Sequence, residues 1–89
     1  MELYSHYTEL PNDLPLTEVV GQLNETLDDT GAVSGGLNKE KGGRIDLELE
    51  DERVNPKYAQ MAVKAYLQRA GFARDTVIEI GGMEIGLYE

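Results

Sequence analysis

The residues in this sequence that are best suited to binding chemistry are its carboxylates, and they are distributed unevenly. Residues 1–38 contain seven aspartates and glutamates and no lysine or arginine. The rest of the chain carries eight basic residues against ten carboxylates, so the net charge of −9 divides into −7 and −2. This asymmetry attracts cationic partners and repels phosphate backbones and anionic lipid surfaces. We therefore expect no nucleic-acid partner and no membrane partner.

Four of these carboxylates, Glu18, Glu25, Asp28 and Asp29, share the polar side of a predicted first helix. Asp28 and Asp29 come at its C-terminal end, where negative charge opposes the helix dipole by about 0.3–1 kcal/mol per residue. Because that helix has no basic residue to offset them, we interpret the four as a docking surface for a basic protein. Two alternatives stay open: ion pairs with the lysines and the arginine of the second helix, and a general contribution to solubility.

A second acidic patch is predicted on one face of a strand. Asp46, Glu48 and Glu50 alternate with aliphatic residues, which places the carboxylates on the open face of a sheet. Glu79 and Glu84 are predicted on the same face by the same alternation, and Asp51 and Glu52 continue the run. They lack the fixed spacing of a calcium loop, so we expect no metal site and interpret the patch as solvated surface or as a second docking surface. Tyr4 and Tyr88 join the predicted partner-binding residues because surface tyrosines are common at interfaces.

The remaining chemical groups give weaker signals. His6 is the only histidine, and beside a carboxylate it could act as a general acid or base. The glycine pairs Gly35-Gly36 and Gly42-Gly43 match neither a P-loop nor a dinucleotide fingerprint, and neither opens a predicted helix. The chain has no cysteine, which excludes disulfides and thiolate metal sites. We therefore predict no catalytic residue and no cofactor.

Two amphipathic helices are predicted to position these groups. Apolar residues recur at helical spacing from Leu16 to Leu27, preceded by Asp13 as a candidate cap and Pro15 in the first turn. The Asn55-Pro56 pair predicts the start of a second helix, and Gly71 predicts its end.

Five strands are predicted around the helices. They cover residues 3–8, 32–37, 44–50, 76–80 and 83–88. Glycines within the second strand predict a bulge, residues 38–43 a hairpin loop, and Gly81-Gly82 a two-residue turn. The helical and alternating stripes together predict one core, formed by Val19, Val20, Leu23, Leu27, Ile45, Leu47, Leu49, Val63, Tyr66, Leu67, Ile78 and Ile80.

The predicted order is strand, helix, strand, strand, helix, strand, strand. Over about 80 residues this order resembles the ferredoxin-like β-α-β-β-α-β plait, with an added C-terminal β-hairpin strand. The resemblance implies an α+β fold, an antiparallel sheet with two helices on one face, and a single domain over residues 1–89. It implies no activity, because that fold carries many unrelated functions.

We accordingly predict a non-enzymatic, acidic protein–protein binding module, such as an immunity protein or a stoichiometric inhibitor of a basic protein. The alternative is a ferredoxin-like small-molecule-binding regulatory domain, and a third reading is a small enzyme that uses His6. We also predict a homodimer through the sheet edge at Met83–Tyr88, because an exposed strand edge tends to pair. The composition favours a cytoplasmic location.

Overall fold

The computed structural model describes residues 1–11, 14–39, 42–52 and 55–88, with backbone alone at residues 38 and 39. Its elements are β1 (Glu2–Tyr7), α1 (Leu16–Leu27), a 3₁₀ turn (Asp28–Thr30), β2 (Gly31–Lys39), β3 (Gly42–Leu49), α2 (Pro56–Ala70), β4 (Val77–Ile80) and β5 (Met83–Gly86). The predicted α+β class is therefore confirmed. In the part of the chain described, no helix combines the length and the apolar character that a bilayer crossing requires.

All five strands form one antiparallel sheet in the order β2-β3-β1-β4-β5. The central strand β1 pairs with β3 on one side and with β4 on the other, so Leu3 lies between Leu47 and Ile80. The edge strands are β2 and β5. The added C-terminal strand is thus present, and it forms a hairpin with β4.

The core lies on one face of the sheet, because apolar residues alternate with polar ones along the central strands. Ile45, Leu47 and Leu49 of β3 are buried with Ile78 and Ile80 of β4. Buried side chains of both helices join the same apolar cluster. The predicted core residues are confirmed except for Val20, which is only half-buried. Leu3, Tyr7, Ala59, Phe72 and Leu87 are also buried in the core and lie outside that predicted set.

The helix ends follow the sequence signals closely at α2. The Asn55 side chain accepts a hydrogen bond from the Lys57 backbone N–H at 3.0 Å, and Gly71 ends the helix with a left-handed φ of 93°. At α1 the cap position is Pro15, which makes no side-chain capping bond. The predicted cap Asp13 lies outside the described residues.

The two helices also contact each other through a polar pair. The Tyr66 hydroxyl donates to the Gln22 side-chain oxygen at 2.6 Å, joining α2 to α1. Burial raises the pKa of Tyr66, and the nearby Glu18 charge raises it further. This contact holds the two helices side by side over the sheet.

Strand β2 is longer than predicted, and its register shifts between Val33 and Gly35, which confirms the predicted bulge. The hairpin to β3 is correspondingly tighter than residues 38–43, because pairing continues to Lys39 and Gly42. Gly81 and Gly82 both have positive φ and form the predicted two-residue turn between β4 and β5.

Candidate functional site

The end of α1 and the end of β3 lie side by side, although they are distant in sequence. After α1 the chain turns through Asp28–Thr30 and enters β2 at Gly31, which pairs with Leu49. The backbone N–H of Glu50 then donates to the Thr30 carbonyl at 2.8 Å. These contacts place the carboxylates that follow α1 beside those that end β3.

The result is an open groove of about 470 Å³, which we call the acidic groove. Its carboxylates are Asp28, Asp29, Glu48, Glu50, Asp51 and Glu52. The rest of its lining is Gly31 and Ala32 of β2 and Leu49 of β3. Three of the predicted partner-binding residues therefore meet at one place, joined by the carboxylates that continue from β3.

Gly31 permits this close approach of β2 to β3. A Cβ atom at this position would lie 2.7 Å from the Glu48 carbonyl oxygen, well inside van der Waals contact. The glycine thus brings the end of α1 against the backbone that carries Glu48. A larger residue would have to separate the two walls of the acidic groove.

Asp28 occupies an unfavourable position in two respects. Its φ of 49° and ψ of −119° place it in a backbone region that favours glycine. It also follows the last turn of α1, which contains no basic residue, so its charge opposes the helix dipole. Local stability therefore does not account for a carboxylate at this position.

One positive group lies at the rim of the acidic groove. The Met1 ammonium nitrogen is 3.3 Å from a Glu48 oxygen and 3.4 Å from an Asp51 oxygen. Within the described residues, neither Asp28 nor Asp29 forms a salt bridge. The charges of Asp28 and Asp29 are consequently available to a cation in solution.

The carboxylates of the acidic groove are not arranged as a metal site. Among the described residues, no three carboxylate or histidine side chains are close enough together to hold a metal ion. What the arrangement offers chemically is an extended negative potential, which suits several lysine or arginine side chains better than one compact ion.

The other predicted residues on α1 lie apart from this groove. Glu18 and Glu25 are exposed on the helix, and neither is within salt-bridge distance of a basic group in the described part of the chain. The alternative that α1 carboxylates pair with α2 bases is thus not realised among these residues. Glu25 does share a shallow groove between the helices with Arg69.

Asp46 and Tyr4 lie on the open face of the sheet and are engaged there. Arg44 donates two hydrogen bonds to Asp46, from Nε at 2.5 Å and from a terminal nitrogen at 3.1 Å. The same guanidinium lies 5.5 Å from the centre of the Tyr4 ring. The Tyr4 hydroxyl donates to Glu2 at 2.6 Å, and this hydrogen bond raises the pKa of Tyr4. Asp46 is therefore a neutralised carboxylate rather than part of the acidic groove.

His6 has the carboxylate neighbour that acid–base chemistry would need. Its Nε2 atom lies 3.0 Å from Glu79 across the β1–β4 pair. The two side chains are 42% and 33% exposed on the open sheet face. A partly solvated pair of this kind differs from the enclosed setting in which acid–base residues are usually tuned.

Comparison with protein-family models, curated proteins and solved structures finds no significant match to this chain.

Tyr88 does not line the acidic groove, and its hydroxyl donates to the Phe72 carbonyl at 2.7 Å. This hydrogen bond joins the C-terminal segment to the residues that follow α2.

Sequence reasoning missed Glu50, Asp51 and Glu52 as partners of Asp28 and Asp29. The signal that could have found them is the pairing of β2 with β3, which brings the two ends together.

Proposed function

We propose that this chain is a non-enzymatic, acidic protein–protein binding module whose acidic groove docks a basic protein. An immunity protein or a stoichiometric inhibitor is the kind of protein that works in this way. The observation that carries the proposal is the convergence of six carboxylates from two distant segments in one open groove. Such a surface gains fast association from electrostatic steering and specificity from charge complementarity.

The electrostatics of Asp28 and Asp29 support this proposal. Both are exposed, neither forms a salt bridge among the described residues, and both follow the C-terminal end of α1. A carboxylate that stabilises neither its helix nor an ion pair is a candidate for a role in binding. The groove also lacks the cluster geometry of a metal site among these residues, which favours a macromolecular cation as its ligand.

We further propose that the fold is a ferredoxin-like plait extended by β5. In a split β-α-β unit, the helix connects two parallel strands that have one antiparallel strand between them. The order β2-β3-β1-β4 supports this, because β3 separates β1 from β2 and β1 separates β3 from β4. The assignment concerns architecture and adds no activity.

The test is an affinity capture in which the immobilised protein binds basic proteins at about 50 mM salt, where screening is weak. The wild-type protein is compared with the double variant D28N/D29N, and captured proteins are identified by mass spectrometry. We expect a basic protein that the wild type captures and the double variant captures poorly. In a purified titration, the variant should associate about tenfold more slowly, because it loses steering charge.

The matched control is E18Q/E25Q, which removes the same charge from α1 outside the acidic groove. We expect this control to retain most of the captured protein. Equal losses with the two double variants would show a response to overall charge and would contradict a docking groove. Unchanged capture by D28N/D29N would likewise rule out the groove as the binding site.

A further inference from the structure

A second groove runs between α2 and the β4–β5 hairpin, at the opposite edge of the sheet. Its floor is Ile78, Ile80 and Ile85, and its wall is the α2 side chains of Lys57, Gln60, Met61 and Lys64. We call it the α2–β5 groove. It is lined mainly by apolar atoms, and it shares no lining residue with the acidic groove.

Large apolar side chains on the helix and hairpin that form this groove are exposed to solvent. Tyr58 is 72% exposed, Met61 is 59% exposed, and Met83, which pairs with Ile80, is 67% exposed. Tyr58 and Met61 are three residues apart on α2 and therefore neighbours on its surface. Apolar exposure concentrated beside a groove is typical of an interaction site.

The outer edge of β5 offers backbone groups beside the same groove. The Leu87 N–H donates to the Thr76 carbonyl at 3.0 Å. Ile85, two residues earlier, likewise directs its backbone groups towards β4. Because bonding direction alternates along an antiparallel strand, Glu84 and Gly86 direct their N–H and C=O groups outward. No described strand pairs with this outer edge. An extended segment could therefore add there as a sixth strand.

The charge around the α2–β5 groove is opposite to that of the rest of the molecule. Helix α2 contains three basic residues and no carboxylate, in a chain whose net charge is −9. Lys57 and Lys64 line the groove. The neighbouring hairpin has two carboxylates, Glu79 and Glu84. They occupy directly opposed positions on β4 and β5, on the open face of the sheet. A ligand in the groove therefore meets apolar surface with a basic wall.

We propose that the α2–β5 groove binds an extended peptide segment that presents apolar residues and one or more carboxylates on the same face. The peptide adds to β5 as a strand, its apolar side chains enter the groove, and a carboxylate reaches Lys57. This is strand addition with side-chain pockets, a recurring mode of peptide recognition. A second copy of this chain fits less well, because two copies with a charge of −9 each repel one another.

The probe is a fluorescent synthetic peptide of about eight residues in which every second residue is valine or glutamate and the residues between them are threonine, so that valine and glutamate share one face. A second peptide carries lysine in place of glutamate. A third keeps the glutamates but is N-methylated at alternate backbone nitrogens, which removes the donors needed for strand pairing. We expect the first peptide to bind, with amide chemical shifts that change at Glu84, Gly86 and along α2. At the α2–β5 groove, as read from the shifts of Glu84 and Gly86, the other two should bind at least about tenfold more weakly.

The protein variants separate charge from strand addition. Lys57→Glu should weaken binding of the glutamate peptide about tenfold, whereas Arg74→Glu, the same charge change on an exposed residue outside the groove lining, should change it less than about twofold. Gly86→Pro removes an outward N–H and should abolish binding while leaving the β4 pairing intact. If Gly86→Pro does not fold, the comparison of Lys57→Glu with Arg74→Glu still decides the matter.

Several results would overturn the proposal. Equal binding of the glutamate and lysine peptides at the Glu84 and Gly86 amides would remove charge complementarity, and equal binding of the N-methylated peptide there would remove strand addition. Shift changes confined to the acidic groove would place the peptide elsewhere. A dimer in sedimentation equilibrium that Gly86→Pro dissolves, with no peptide bound, would assign the edge to a second copy, as the sequence predicted.

Discussion

The acidic groove and the α2–β5 groove lie towards opposite edges of one sheet and differ in almost every chemical respect. The first is lined by six carboxylates and strand backbone. The second is lined by three isoleucines, a methionine, a glutamine and two lysines. The first presents charge that water and salt can screen, and the second presents apolar surface whose burial is largely independent of ionic strength.

This difference teaches how a small chain can offer two independent surfaces. The acidic end of α1 leads into the edge strand β2, whereas the basic helix α2 lines a groove with the edge strand β5. Salt is therefore a diagnostic: partners of the acidic groove should dissociate as ionic strength rises. Partners of the α2–β5 groove should lose only the part of their affinity that depends on Lys57.

The largest expected effect comes from a core substitution, which destabilises the whole domain and therefore both grooves. Leu47 is fully buried in β3, and replacing it with alanine should cost about 2–5 kcal/mol in the free energy of unfolding. Chemical denaturation measures this loss. Leu37→Ala is the matched control, since Leu37 is 48% exposed and should cost less than about 0.5 kcal/mol. Equal costs at the two positions would contradict the buried alternation of β3.

A smaller change should disturb the acidic groove alone. Gly31→Ala places a Cβ atom against the Glu48 carbonyl and should cost about 1–3 kcal/mol as β2 moves away from β3. Gly35→Ala, on the same strand, meets only the Asp46 side chain at 3.8 Å and serves as the control. Amide chemical shifts should change around Glu48 and stay constant along α2. Shift changes of similar size in both grooves would show that the two are mechanically coupled.

The secondary structure could be predicted from sequence because its signals are local. The alternation of Ile45, Leu47 and Leu49 indicates β3 directly, and Asn55-Pro56 with Gly71 delimits α2. The extent of β2 was underestimated, because its glycines weaken the pattern of a strand while permitting close pairing with β3.

The candidate sites depend on long-range pairing and were harder to predict. Asp28 and Glu48 meet only because Gly31 pairs with Leu49, which no local pattern indicates. Asp46 looked available, yet Arg44 lies two residues away on the same strand face and neutralises it. The α2–β5 groove was missed because Met61 lies outside the buried stripe of its helix, and the sheet edge beside it appears only in the fold.

A third prediction concerns the centre of the sheet, between the two grooves. Ser5 is fully buried on β1 between Ile45 and Ile78, and its hydroxyl has no hydrogen-bond partner among the described residues. Replacing it with alanine should raise the free energy of unfolding by about 1 kcal/mol, because an unsatisfied buried hydroxyl is removed. Ser34→Ala, at an exposed position on β2, should change little. A loss of stability in Ser5→Ala would mean that the hydroxyl is satisfied in solution.

The smallest expected effect compares two carboxylates at the two ends of α1, one that stabilises the helix and one that we assign to binding. Glu18 lies in the first turn of α1, where its carboxylate favours the dipole, whereas Asp28 follows the last turn and opposes it. Glu18→Gln should therefore lower the free energy of unfolding, and Asp28→Asn should raise it, each by about 0.3–1 kcal/mol at low ionic strength. Asparagine has nearly the same shape as aspartate, so the substitution should leave the backbone strain at Asp28 unchanged. Thermal melts at low and high salt measure both changes, and screening should shrink both towards zero.

If Asp28→Asn lowers stability instead, the carboxylate has a partner inside the molecule in solution, and its assignment to the acidic docking surface is wrong. If it raises stability while the capture of a basic protein falls, stability and binding move in opposite directions, as expected for a charge that serves binding rather than folding.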